Sequence, residues 1–300
     1  MTRHFTDIDD LSADELETVL DTAVELKSRV KRDEAHPLLE RRTLGMVFEK
    51  PSSRTRISFE TGMTQLGGHA VFLGPDDIGL GEREPLKDTA RTLSGYVDCA
   101  MVRLFDHTDL TELAAHATVP VVNGLTDDAH PCQTLADLLT LRETVGFDAR
   151  VAWVGDGNNV AQSFALGCAL AGVDLAVATP PGYGIDERVL DRAGELGATP
   201  DVTTDPKAAV AGADAVYTDV WVSMGEESER EAKLAAFEDG GFQVNADLLD
   251  DATVLHCLPA NRGEEITEDV LESERAVVWQ QAENRLHAQK GLLTFLLDAL

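Results

Sequence analysis

Short apolar runs alternate with stretches of helical periodicity along the whole chain, and this alternation narrows the available folds more than any other feature. Thr43-Leu44-Gly45-Met46-Val47-Phe48 reads as a buried strand. The turn Glu49-Lys50-Pro51-Ser52-Ser53 leads into a helix with Phe59, Met63 and Leu66 on one stripe. Gly67-Gly68 stops it before a second strand, His69-Ala70-Val71-Phe72-Leu73. That is one βαβ unit. Ahead of it, the capping box Ser12-Ala13-Asp14-Glu15 opens a helix carrying Leu16, Val19, Leu20, Ala23 and Leu26. After it come a polar, Gly-rich loop over 74–84, a helix through Thr89, Leu93 and Tyr96, and strands over 99–104 and 119–122. His130-Pro131-Cys132-Gln133 then opens a helix with Leu135, Leu138, Leu139 and Val145, ended by Gly146. Pro in the first turn and Gly past the last is the asymmetry expected of a helix.

The alternation restarts with a strand over 150–154, a helix over 159–171 and a strand over 175–178. Further strands are expected over 215–219, 253–257 and 276–279, before a final helix carrying Leu286, Leu293, Leu297 and Leu300. Strands that are apolar throughout and separated by helices belong to parallel sheets covered on both faces. Two such runs in 300 residues make an α/β protein of two domains, each a parallel sheet flanked by helices. They are placed at 1–135 and 136–300, the final helix packing back toward the first.

Asp and Glu number 54 against 25 Lys and Arg, a net charge of −29. Nucleic acid and anionic membranes are polyanions, so neither is expected as a partner. No run approaches the roughly eighteen apolar residues of a membrane span. The first residues, Met1-Thr2-Arg3-His4-Phe5-Thr6-Asp7, lack the basic-then-apolar plan of a signal peptide. Four cysteines, Cys99, Cys132, Cys168 and Cys257, lie far apart with no CxxC pair, as in a cytoplasmic protein with reduced thiols. Only 7 of the basic residues are Lys. A surface so acidic and so poor in Lys is expected to stay hydrated at high salt, where self-repulsion is screened.

In open parallel sheets ligands bind beyond the carboxyl ends of the strands, at helix N-termini. Four such edges carry chemistry here. Ser52-Ser53-Arg54-Thr55-Arg56 offers free N–H groups, hydroxyls and two guanidiniums, a combination that suits phosphate but also fits a Ser-capped helix with solvated arginines. Arg103 ends an apolar strand, as a site residue or a surface ion pair. His130 and Gln133, at i and i+3, share a face of the first helical turn, as site groups or as caps. His256-Cys257-Leu258-Pro259 ends another strand; zinc is disfavoured, because adjacent strand residues face opposite ways and no partner pair follows at ligand spacing. No metal and no cofactor are expected. GxxxxGK[ST], GxSxG and HExxH are all absent from the sequence, which removes P-loop nucleotidases, serine-elbow hydrolases and zincins. Gly155-Asp156-Gly157-Asn158-Asn159-Val160 looks like a dinucleotide fingerprint, but Val160 takes the third glycine's place and the next strand ends without a carboxylate.

Together these segments resemble the ornithine carbamoyltransferase family along nearly the whole chain. Ser52-Ser53-Arg54-Thr55-Arg56 is similar to its Ser-Thr-Arg-Thr-Arg phosphate motif. Asp88-Thr89-Ala90-Arg91, His130-Pro131-Cys132-Gln133, Asp219-Val220-Trp221-Val222-Ser223-Met224-Gly225 and His256-Cys257-Leu258-Pro259 match in the family's order. The Ser-Met-Gly and His-Cys-Leu-Pro segments separate it from the aspartate carbamoyltransferases. The resemblance implies carbamoyl transfer from carbamoyl phosphate to the δ-amine of L-ornithine, giving L-citrulline and phosphate, or the reverse in arginine catabolism.

It further implies that Ser52, Ser53, Arg54, Thr55, Gly79, Arg103, His130, Gln133, Cys257, Leu258 and Arg285 line the carbamoyl phosphate site. Asn159, Asp219, Ser223 and Met224 would hold ornithine, and Arg54, Arg103, His130, Asp219 and Cys257 would act in catalysis. Cys257 and Leu258 would lie where the two substrates meet. Active sites in this family lie between subunits of a trimer, so a homo-oligomer is implied. Three positions depart from the family. Gly79 stands where Gln or His usually reaches a neighbouring subunit's phosphate, with backbone N–H groups or Arg83 as the candidate substitutes. Ser53 replaces Thr, and Asn261 stands where relatives often have His.

Overall fold

The computed structural model describes residues 2–79 and 84–299. The expectations that fall on Arg83 and Leu300 lie outside them. The chain forms two compact units, Met1–Leu139 with Asn284–Leu300, and Thr140–Glu283.

In the first unit, α1 (Ala13–Lys31) starts at the predicted capping box, Ser12 Oγ accepting from the Glu15 N–H and Glu15 answering to the Ser12 N–H. Then follow β1 (Thr43–Phe48), α2 (Ser53–Gln65), β2 (His69–Leu73), α3 (Pro75–Ile78), α4 (Leu86–Ser94), β3 (Cys99–Arg103), α5 (His107–His116), β4 (Val121–Leu125) and the start of α6 (Pro131–Thr144). The four strands are parallel in the order β2-β1-β3-β4. β1 and β3 lie inside the sheet and are buried almost throughout, while β2 is a half-exposed edge.

The second unit runs β5 (Arg150–Val154), α7 (Asn159–Ala171), β6 (Asp174–Ala178), α8 (Glu187–Leu196), β7 (Asp201–Thr203), α9 (Pro206–Val210), β8 (Ala215–Thr218), α10 (Arg230–Gly240), β9 (Thr253–His256), α11 (Glu268–Leu271) and the start of α12 (Val278–Leu296). From Asn284 onward α12 belongs to the first unit. The five strands are parallel in the order β7-β6-β5-β8-β9. Alternation along β5 feeds two cores. Ala152 and Val154 join Trp221, Phe237 and Phe242 on one face; Val151 and Trp153 join Phe164 and Tyr217 on the other. Trp153, Phe164 and Tyr217 meet edge-on or tilted, with the Tyr217 ring 4.8 and 5.0 Å from its neighbours.

Both strand orders contain a switch point. From β1 the chain goes to β2 on one side and returns to β3 on the other; from β5 it goes to β6 and β7, then to β8 and β9 on the opposite side. At such points the loops leaving two adjacent strands diverge and open a crevice beyond their carboxyl ends. Beyond β1 lie Ser52 and the first turn of α2, and Arg103 ends β3; beyond β5 and β8 lie 155–159 and 219–225.

Several expectations are corrected. Residues 276–279 form no strand: Ala276 makes one isolated bridge to Val254, and α12 begins at Val278. An apolar run of that length suits a strand or a helix start equally well, and only the packing decides. Tyr96 lies past the end of α4 and is 79% exposed. The 74–84 loop contains the short helix α3, and α5 was not anticipated. No element is expected over 180–214, 226–252 or 260–275, where α8, β7, α9, α10 and α11 fall.

Candidate active site

In the first unit α2 is capped by Ser52, whose Oγ accepts from the Thr55 N–H at 3.2 Å and donates to Thr55 Oγ1 at 3.1 Å. In a chain with 54 carboxylates, the first turns of α2, α6 and α7 carry none. The positive end of each helix dipole is thus left unneutralised by its own side chains. Ser53 is exposed, Arg54 half-buried and Thr55 buried. Arg56 departs from its expected place beside Arg54: its guanidinium lies over the Phe72 ring, 3.8 Å from the centroid, and Nε donates to Glu60. The two arginines lie on different faces because positions two apart on a helix diverge.

Arg103 ends β3 opposite Phe48 of β1, the residue 5% exposed and its carbonyl accepting from the Glu49 N–H at 2.9 Å. Gln133, in the first turn of α6, is held at both ends of its amide. Nε2 donates to Asp137 at 2.7 Å, and Oε1 accepts from Arg285 at 2.7 Å. A second nitrogen of Arg285 donates to Thr55 Oγ1 at 3.2 Å. One guanidinium from α12 therefore ties the starts of α2 and α6 together, although its partners lie 152 and 230 residues away in sequence. His130 is buried beside them. Burial, followed by the charges of Arg285, Arg103 and Arg54, holds its pKa well below the usual 6.5. The imidazole is uncharged at neutral pH and sits within reach of three guanidinium fields. Arg54, Arg103, His130 and Arg285 are thus brought to one place. Gly79 closes α3 in the left-handed region (φ 54°, ψ 56°), a conformation glycine takes without steric cost.

In the second unit Asp219 follows β8 and is 6% exposed. Its Oδ1 accepts from the Cys257 thiol at 2.9 Å, and its Oδ2 accepts from Asn158 Nδ2 at 3.0 Å. Asn158 also caps α7, its Oδ1 accepting from the Val160 and Ala161 N–H groups. Asn159, the residue expected at the site, is the half-buried first residue of α7. Ser223 and Glu226 bound a tight turn, Glu226 N–H donating to the Ser223 carbonyl at 3.1 Å, with Gly225 at φ 102° and Met224 53% exposed at its tip. Leu258 adopts φ 59°, rare for a branched side chain.

Asp219, His256 and Cys257 converge, although adjacent strand residues are expected to face opposite ways. Ligand atoms of Asp219, His256 and Cys257 lie within 4.8 Å of one another, because the chain turns sharply after β9. Each already has a partner: the thiol donates to Asp219, and both nitrogens of His256 are hydrogen-bonded.

Three groups escaped the sequence reading. Asn158 was detectable as an Asn at a helix N-cap. Lys233 and Asp156, 77 residues apart, had no local signal. Lys233 Nζ donates to Asp156 at 2.8 Å and to Glu226 at 2.6 Å, and Glu226 also accepts from the Ser223 N–H at 2.9 Å. A buried lysine thus straps the 223–226 turn to the loop after β5. Beside that strap, Gly157 answers the dinucleotide question. A Cβ there would sit 2.6 Å from Ile185 N and hard against the Gly184 carbonyl, so glycine is required by packing within the protein. We expect Gly157→Ala to cost about 1–3 kcal/mol in urea unfolding; a neutral substitution would reopen a ligand role for that glycine.

One sheet of this α/β protein thus carries a cluster of guanidiniums around a buried imidazole, and the other a buried carboxylate beside a thiol. Residues 3–143 match the family model described as aspartate/ornithine carbamoyltransferase, carbamoyl-P binding domain, and residues 148–296 match the companion Asp/Orn binding domain. An ornithine carbamoyltransferase of Haloquadratum walsbyi is 64% identical, over 98% of each chain. The solved ornithine carbamoyltransferase of Pyrococcus furiosus superposes with a TM-score of 0.95 at 48% identity, covering 99% of this chain and 98% of that one. That of Thermus thermophilus gives 0.88 at 45% identity, covering 99% of both. The chain belongs to the aspartate/ornithine carbamoyltransferase family.

Proposed function

We infer that the chain transfers the carbamoyl group of carbamoyl phosphate to the δ-amine of L-ornithine, giving L-citrulline and phosphate. The observation that carries this reading is the convergence of Arg54, Arg103 and His130, all within the segment matched as carbamoyl-P binding, with Arg285 of α12.

The chemistry assigns roles to each group. The leaving phosphate needs cations and N–H donors, which the α2 N-terminus, Ser52, Ser53, Arg54, Thr55 and Arg103 supply; the Gly79 N–H is spent on the Pro75 carbonyl at 3.2 Å and brings no donor here. As the amine attacks, the carbamoyl oxygen gains negative charge. Uncharged His130, Thr55 and the Arg285–Gln133 pair stabilise it by donating hydrogen bonds aimed in advance. On the acceptor side, Asp219 pairs with the ornithine cation while Asn159, Ser223 and Met224 hold its amino-acid portion. The Cys257 thiol and Leu258 carbonyl orient the attacking nitrogen and the carbamoyl group. The nitrogen–carbon bond forms as the carbon–oxygen bond to phosphate breaks. The amine's proton passes to the departing phosphate, whose bridging oxygen leaves with the bonding pair. No covalent enzyme intermediate is needed, because orientation within a ternary complex supplies the rate.

The test is citrulline formation at saturating carbamoyl phosphate with ornithine varied, run beside putrescine. Ornithine is expected to be the better acceptor by a wide margin. Turnover favouring putrescine, or no turnover of either, overturns the reading.

By resemblance we place the protein in the cytoplasm as a homo-oligomer, a trimer or a multiple of trimers. Among the described residues no helix is long and apolar enough to cross a membrane. We also propose that the acidic surface serves folding at high salt. Supporting this, four of the 7 lysines (Lys27, Lys50, Lys233 and Lys290) are buried, so lysine is scarcer on the surface than its overall count suggests. The melting temperature is expected to rise with KCl concentration as self-repulsion is screened; a flat or falling series removes this proposal.

A further inference from the structure

Behind the Cys257–Leu258 turn lies a pair of groups that the mechanism above does not use. His256 and Glu265 are both 0% exposed. The Leu258 N–H donates to His256 Nδ1 at 2.9 Å, so that nitrogen carries the lone pair and the ring proton resides on Nε2. Nε2 lies 2.9 Å from Glu265 Oε1 and donates to it. The same carboxylate oxygen accepts from the Asn261 N–H at 2.6 Å, and the His256 N–H donates to Gln281 Oε1 at 2.9 Å. The imidazole is therefore fixed at both nitrogens and through its own backbone. Its one acceptor is spent on the residue two positions ahead, the leucine held at φ 59°. A non-glycine residue in that region costs about 1–3 kcal/mol and persists only where its surroundings impose it.

We propose that His256 and Glu265 are positioning residues for carbamoyl transfer: Glu265 fixes the His256 tautomer, and His256 Nδ1 holds the Leu258 N–H. The 257–258 turn is thereby locked with Cys257 against Asp219. The chain of contacts runs Glu265, His256, Leu258 backbone, with the Cys257 thiol 2.9 Å from Asp219 Oδ1 at its end. Neither positioning residue touches substrate. Their effect is on the aim of the thiol and carbonyl that orient the amine, where displacement by about 1 Å can cost about 10²-fold in rate. This rests on the carbamoyl-transfer reading.

Two substitutions at one position separate aim from bulk. His256→Gln places an amide near Nε2, which can still donate to Glu265 but leaves the Leu258 N–H without its acceptor. His256→Asn places an oxygen near Nδ1 and restores that acceptor. We expect His256→Gln to lower kcat/KM for ornithine by about 10²-fold. Carbamoyl phosphate affinity, measured calorimetrically without ornithine, should stay within about twofold, and His256→Asn should recover most of the lost rate. Should either variant fail to fold, ¹⁵N-histidine NMR of the wild-type protein decides instead. An unprotonated Nδ1 and protonated Nε2 on the buried ring support the proposal, and the opposite tautomer overturns it. Ornithine turnover within twofold of wild type in His256→Gln overturns it, as does an Asn variant that folds and is no better than Gln. A wild-type protein that forms no citrulline would instead remove the underlying reading of function.

Discussion

Arg103→Ala is expected to lower kcat by at least about 10²–10³-fold while the protein melts within a few degrees of wild type. The two halves of that expectation have separate causes. The side chain is buried at the carboxyl end of β3, where its charge acts on His130 together with those of Arg54 and Arg285. Removing it withdraws a preorganised cation from the place where the leaving phosphate gathers charge. The fold is spared because β3 is held to β1 through the main chain, including the Arg103 carbonyl that accepts from Glu49. Taking one of three neighbouring guanidiniums away also relieves like-charge repulsion in the unliganded protein. Thermal shifts sharpen the test. Carbamoyl phosphate should raise the melting temperature of the wild type and raise that of Arg103→Ala much less, since only a ligand that binds the folded state stabilises it. Wild-type kcat, or an undiminished thermal shift, would contradict the role assigned.

Lys233→Met is expected to destabilise the second unit by about 3–5 kcal/mol at pH 8, because it strands a buried carboxylate. Asp156 and Lys233 side chains are 7% and 4% exposed, and Glu226, at 38%, can turn to water when the strap is cut. Burial pushes the Asp156 carboxyl up from 3.8 to about 6, even though Lys233 pulls the other way. Burial likewise pulls Lys233 down, but hydrogen bonds and charge from Asp156 and Glu226 together hold its pKa above 10.5. The sign of the pH dependence follows. Between pH 3.8 and about 6 the folded protein binds more protons at Asp156 than the unfolded chain does. This group therefore favours folding on acidification, and the contribution is lost as pH rises through that window. Without Lys233 the upper edge of the window moves higher. The stability gap between variant and wild type, followed by urea unfolding, should narrow as pH falls from 8 to 5. A gap below about 1 kcal/mol, or one that does not change with pH, would mean that Asp156 finds water or another partner when Lys233 is gone.

Much of the scaffold was legible because its signals are local. The capping box at Ser12, the Gly67-Gly68 stop, the apolar runs at β1 and β5 and the proline-led start of α6 are each decided within a few residues, and each stands as expected. The misreadings came where local signals are ambiguous. The run at 276–279 satisfies strand and helix alike, while α8 and α10, whose apolar stripes are short, gave no local signal to read. Candidate site residues could be named from motif order, but not how they are held. Arg285 reaching Thr55 and Gln133, Lys233 reaching Asp156, and the opposite fates of Arg54 and Arg56 depend on which elements pack together.

The alternation that builds two parallel sheets, the phosphate-type motif at the start of α2 and the family resemblance are all legible along the chain. All of these are written in neighbouring residues, where backbone propensity and side-chain period act directly. That the motif-bearing segments follow adjacent strands at the two switch points emerges from packing alone. So does the use of a buried His256 to hold Leu258, and the burial of four of so few lysines. Strand order and the desolvation of a charge are properties of the assembled fold, set by contacts between residues that the sequence keeps far apart.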